Sequence, residues 1–159
     1  MSQEYNNLIN SEEFKKWKSK NKDSYLSSCL IMQDQENKGS WNFGYYMPKK
    51  NKITTFIMDN EIIIINEDQK IFEQSHKKLK EIKIKDVSFD LDNVNKFILK
   101  EFKDKKFIKT IIVLQYIKTL LWNITLLGLD FNLINVKLDS KTGKLIDKSV
   151  TSMLQFKAS

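Results

Sequence analysis

Cys29 and His76 are the residues closest to a nucleophile and base, and each is the single representative of its type in 159 residues. A Cys–His couple needs both groups within hydrogen-bond reach and a third group orienting the base. Cys29 lies in the apolar run from Tyr25 to Met32, where it reads as a small core residue. His76 lies in a polar, lysine-rich stretch and reads as exposed. A Ser-His-Asp arrangement would also have to use His76, and the chain has no Gly-x-Ser-x-Gly elbow. Ser19-Lys20-Asn21-Lys22 fits Ser-x-x-Lys, a spacing that 27 basic residues produce by chance. One histidine and one cysteine cannot assemble a Cys/His zinc site. Asp86, Asp90 and Asp92 come nearest to a carboxylate calcium loop, but Ser88 and Phe89 interrupt the spacing and no glycine follows. Helix capping fits these aspartates better. The four glycines form neither a P-loop nor a dinucleotide fingerprint. The expectation is a chain that is not an enzyme, with no catalytic, cofactor-binding or metal site and no cofactor.

Binding chemistry is the other possibility. The formal net charge is +7, and every basic residue apart from His76 is lysine, with no arginine. A compositional bias toward asparagine, isoleucine and lysine accounts for such a charge, and so does a basic surface for a polyanion. Tyr45 and Tyr46 stand just before Lys49, Lys50 and Lys52, and these five residues are the candidate interaction surface. Alternation points Tyr46 away from Trp41 and Tyr45, so it could serve as a stacking platform. The lack of arginine removes the bidentate fork that reads bases and phosphates, leaving lysine contacts to a nucleic-acid backbone without sequence preference. The expected partner is a protein or larger assembly, reached through a sheet edge or this surface. The alternative is lysine-driven binding to nucleic acid or a ribonucleoprotein.

These residues need elements to position them. Asn10 with Glu13 three residues on has a capping-box pattern, opening a helix with Phe14 and Trp17 on one face. Strands are expected at 25–32, 40–46, 53–58 and 62–66, with a polar turn at 34–39 and Pro48 in a loop. In the middle stretch Ile82 and Ile84 alternate with lysines as in a half-buried strand, and a helix over 72–80 is the other reading. Leu91, Val94, Phe97, Ile98 and Phe102 recur at helical spacing, with Asp90 or Ser88 as cap and Lys103 to Lys106 after the end. Strands follow at 107–115, 119–127 and 131–138, then a turn at 139–143, a returning strand at 144–147 and a short edge strand within 150–156.

Both halves thus read as a helix followed by about four antiparallel strands. Trp41-Asn42 and Trp122-Asn123 occupy corresponding places in the two second strands. The fold class is α+β, with two helix-plus-sheet units over 8–70 and 88–156, a connecting segment over 71–87, and an internal repeat. The units pack either face to face or as one continuous sheet, with Trp41 and Trp122 as core anchors.

The segment from Leu91 to Ile146, and above all Leu138-Asp139-Ser140-Lys141-Thr142-Gly143, resembles the end of a PepSY-type domain. The resemblance implies a PepSY-like or cystatin-like helix-and-sheet fold and a non-catalytic binding or inhibitory module, often directed at proteases. PepSY domains typically lie outside the cytoplasm. Residues 1–7 here lack the basic and apolar segments of an export signal, and a single cysteine permits no internal disulfide. A cytoplasmic chain without a membrane span is expected.

Overall fold

The computed structural model describes residues 1–70 and 79–154. Among the described residues three α-helices, α1 (Ser2–Asn10), α2 (Glu12–Lys20) and α3 (Leu91–Glu101), accompany eight strands. The strands are β1 (Tyr25–Asp34), β2 (Trp41–Met47), β3 (Lys52–Asp59) and β4 (Ile62–Lys70), then β5 (Phe107–Tyr116), β6 (Leu120–Gly128), β7 (Asn132–Asp139) and β8 (Leu145–Ser152). All eight form a single antiparallel sheet in the order β4-β3-β2-β1-β5-β6-β7-β8. Of the two packings left open by the sequence, the continuous sheet is the one adopted. Its seam is the antiparallel pairing of β1 with β5, from Ser28 opposite Gln115 to Asp34 opposite Lys109.

Alternation decides which residues face the helices. Trp41, Phe43, Tyr45 and Met47 on β2 point to one face and are all buried, as are Trp122, Ile124 and Leu126 on β6. Phe14 and Trp17 of α2 close an aromatic cluster with Tyr45 and Phe56, ring centroids 5.0–5.7 Å apart. Val94 and Ile98 of α3 enter the same continuous core. Each large side chain buried this fully contributes about 1.5–3 kcal/mol. Trp41 and Trp122 are both core residues on second strands, and Asn42 and Asn123 beside them point to the opposite face.

Several expectations are corrected. The cap of the Phe14–Trp17 helix is Ser11, whose Oγ accepts from the Phe14 amide at 3.2 Å. Asn10 instead ends an earlier helix, its side chain donating to the Asn6 carbonyl at 2.9 Å. That helix, α1, fully buries only Leu8, so its apolar pattern is weak. Residues 82–84 are not a strand. Ile82 is buried, its amide bonded to the Leu26 carbonyl at 2.7 Å, and a 3-10 turn spans Ile84–Asp86. The expected edge strand after Val150 is the continuation of β8, which runs unbroken to Ser152. Asp90 does cap α3, accepting from the Asn93 amide at 3.0 Å. His76, the helical alternative over 72–78 and residues 155–156 lie outside the described residues.

Candidate interaction surfaces

Tyr45 belongs to the core. Its ring packs against Phe14, Trp17 and Phe56, and its hydroxyl is 3.0 Å from that of Tyr5. Burial, with the Tyr5 bond second, pushes its phenol pKa well up. Tyr46 does point to the opposite face, yet it is only 3% exposed. The Tyr25 ring packs edge-on against it at 5.6 Å, and its hydroxyl donates to Asn51 Oδ1 at 2.9 Å. Neither tyrosine can offer a stacking platform, which corrects that part of the expected surface. Lys49 and Lys50 are exposed on the β2–β3 turn and Lys52 is half-buried at the start of β3. Cys29 is fully buried, and burial raises its thiol pKa far above the ordinary value. Among the described residues no three His, Cys, Asp or Glu side chains group as metal ligands.

Three other features present themselves. The first is the face of the sheet away from the helices. Cross-strand partners point the same way, so the register sets Ile57, Asn42, Leu30, Val113, Asn123 and Lys137 in one row across it. On the first-half side Leu30 and Ile57 are apolar, with Asn42 between them. Polar contacts hold the second, where Asn135 donates to Asn123 at 2.7 Å and Lys137 donates to Asn135 at 2.8 Å.

The second feature is the β8 edge. Seven of the eight residues in Leu145–Ser152 are exposed. The Met153 amide donates to the Phe131 carbonyl at 2.9 Å, which fixes the phase of the β7–β8 ladder. Antiparallel pairs alternate, so Asp147, Ser149 and Thr151 turn their backbone groups toward β7. Lys148, Val150 and Ser152 turn theirs outward. Val150 is 57% exposed, and Phe131, Met153 and Leu154 at the end of this strand are 52%, 40% and 55% exposed.

The third feature is a separation of charge between the two ends of the sheet. At the end where β1, β3, β6 and β8 begin, the described loops carry Lys20, Lys22, Lys49, Lys50, Lys80, Lys118, Lys141 and Lys144, all exposed, against Asp23, Glu81 and Asp139. At the other end, Asp34, Glu36, Asp59, Glu61, Asp104 and Asp130 face Lys38, Lys103, Lys105 and Lys106. Among the described residues, Lys15–Glu12, Lys105–Asp130, Lys137–Asp147 and Lys148–Glu101 are lysine–carboxylate pairs, and none of the eight lysines takes part in one. Asp139 is occupied by its own turn, accepting from the Lys141 and Thr142 amides at 2.9 and 2.8 Å. The Thr142 amide, more than any other contact, holds its carboxyl below the usual carboxylate pKa.

A cleft of about 550 Å³ lies between α1, the start of α3 and the β1–β2 strands, lined by Glu4, Lys38, Trp41, Asp90, Asp92 and Asn95 among others. Its Asp90 is engaged as the helix cap.

The sequence suggests an edge strand only within 150–156; that the whole of Leu145–Ser152 is the outer strand depends on its being last in the strand order. The charge separation has a sequence signal, lysines clustered at alternate turns, but it needs the topology to bring those turns to one end. No helix among the described residues is long and apolar enough to cross a membrane. No family model matches the chain, and no curated protein matches it. Among solved structures, it is similar to the crystal structure of a "putative lipoprotein" from Clostridium difficile 630, at 15% identity and a TM-score of 0.59, covering 88% of this chain and 91% of that one. At this identity the likeness shows a shared α+β fold.

Proposed function

We propose that this chain is a non-enzymatic binding module that takes up an extended segment of a protein partner along the outer edge of β8. The observation that carries the reading is the row of outward backbone groups at Lys148, Val150 and Ser152, beside the exposed Val150, Met153 and Leu154 side chains. An edge of this kind adds a strand through main-chain bonds, with alternate side chains giving selectivity. Natural edges left unused are normally blunted by proline, bulges or inward charges. This one has a bulge near its start, between Lys137 and Leu138 of the register, and one inward charge, Lys148, paired with Glu101 at 3.5 Å, but its ladder runs regularly from Asp147 to Ser152.

Two further points support the reading. The resemblance of residues 91–146 to PepSY-type domains belongs with binding rather than catalysis. The matching positions of Trp41-Asn42 and Trp122-Asn123 favour an origin by duplication of a helix-plus-four-strand unit, leaving β4 and β8 as the two end strands of the sheet. A cytoplasmic setting goes with the free buried thiol of Cys29. The lipoprotein description of the structural neighbour favours a membrane-attached one. Fractionation of cells decides between them.

The test is capture of partners on three immobilised forms: the natural chain, Val150→Pro and Val150→Thr. Proline removes an amide that points away from β7, so the sheet tolerates it at an edge. A partner held by the natural chain and Val150→Thr but lost from Val150→Pro supports edge addition. Equal recovery on all three overturns it.

A further inference from the structure

The lysine-bearing end of the sheet also carries exposed apolar side chains. Ile117, in the β5–β6 turn beside Lys118, is 52% exposed. Leu145 and Ile146, just after Lys144 in the β7–β8 hairpin, are each 48% exposed. The register places these turns next to one another, with β6 and β7 between them. Two strand spacings separate them, about 10 Å. Lys80 joins the group, its ammonium 5.6 Å from the centre of the Tyr116 ring at the end of β5. The carboxylates at this end of the patch are Glu81, exposed next to Lys80, Asp139, bonded within its own turn, and Asp147, paired with Lys137 at 3.6 Å.

Compositional bias raises lysine everywhere. It does not sort lysines to one end of a sheet, leave them without carboxylate partners among the described residues and set isoleucine and leucine between them. Charges about 10 Å apart reinforce one another at moderate ionic strength, since the Debye length at 0.1 M is also about 10 Å. Such a patch attracts a polyanion. Two polyanions differ in what else they require. Single-stranded nucleic acid needs aromatic faces for its bases, and the tyrosines near this end, Tyr25, Tyr46 and Tyr116, are buried or half-buried. An anionic lipid surface needs lysines at headgroup level and aliphatic side chains that enter the acyl boundary. The turns supply both.

We infer that this end of the sheet is a docking surface for an anionic lipid membrane, with Lys80, Lys118, Lys141 and Lys144 at the headgroups and Ile117, Leu145 and Ile146 entering the interface. The inference is independent of the β8 edge reading, because none of the variants below alters Val150 or the outward groups beyond it.

The experiment is co-flotation of the full chain with vesicles of phosphatidylcholine alone, and with vesicles of phosphatidylcholine and phosphatidylglycerol in equal parts. The chain is expected to float with the anionic vesicles at low salt, to be released as salt is raised well above 0.1 M, roughly the range in which surface charges become screened, and not to float with the neutral ones. The variant Lys118→Glu/Lys141→Glu/Lys144→Glu is expected to lose flotation, and Ile117→Ser/Ile146→Ser to weaken it several-fold, each with an unchanged circular dichroism spectrum. Lys96→Glu/Lys100→Glu/Lys103→Glu, with the same change in net charge, keeps flotation. No flotation of the natural chain at low salt overturns the inference. Equal loss in the 96/100/103 variant also overturns it, by showing attraction to net charge alone. So does binding of a single-stranded oligonucleotide that the turn variant abolishes while vesicles go unbound, which assigns the patch to nucleic acid.

Discussion

Asp139 and Gly143 show how single residues set the hairpin that carries two of the docking lysines. Asp139 accepts three bonds within the turn, from the Lys141 and Thr142 amides and the Thr142 hydroxyl at 2.9 Å. Its folded pKa lies below the ordinary value, so the stabilisation is present above the unfolded pKa and is lost as pH falls through the folded one. Asp139→Ala is expected to lower stability by about 1 kcal/mol at neutral pH. Denaturation at about pH 3, below the ordinary aspartate value of about 3.9, is expected to show a smaller difference. Gly143 has φ +72°, and a Cβ there would lie 2.3 Å from the Phe89 ring. Gly143→Ala is expected to cost more than the roughly 1–2 kcal/mol of a left-handed alanine, measured by urea denaturation. The two tryptophans separate in the same way. Trp122 Nε1 donates to the Phe89 carbonyl at 2.7 Å, so Trp122→Phe leaves a carbonyl unpaired at about 1–3 kcal/mol, and Trp41→Phe should cost less.

At the scale of elements, amphipathic spacing revealed much. Leu91, Val94 and Ile98 marked α3, and period-two alternation marked β2 because Trp41, Phe43 and Tyr45 face the core together. Three things were not legible, each for a physical reason. α1 covers the sheet mainly through Leu8, with Tyr5 and Ile9 partly buried, too few apolar positions to register. Tyr46 looks free until Tyr25 and Asn51, brought in by the β1–β2 register and the β2–β3 turn, close over it. An edge strand is legible within 150–156, but that all of Leu145–Ser152 forms it emerges only from strand order. The phase of β8 predicts contrasting proline effects on stability. Val150→Pro should change it little, whereas Ser149→Pro removes an amide from the β7–β8 ladder and should cost about 1 kcal/mol or more. Thermal unfolding of the two variants checks the contrast.

At the scale of the whole molecule, β1 and β5 join what sequence patterning divides into two units, and one core cluster contains Phe14, Phe43, Ile112 and Trp122 together. A seam this long makes independent unfolding of the halves costly. Tryptophan fluorescence and far-ultraviolet circular dichroism are expected to give one coincident transition, and two separated transitions would restore the division into units. The central claim, that the β8 edge receives a strand, has a signature in amide hydrogen exchange. In the free chain Ser149 and Thr151 should be protected while Lys148, Val150 and Ser152 exchange quickly. With a captured partner bound, protection of Lys148, Val150 and Ser152 is the predicted result. A complex in which those three amides exchange as fast as in the free chain would contradict the account.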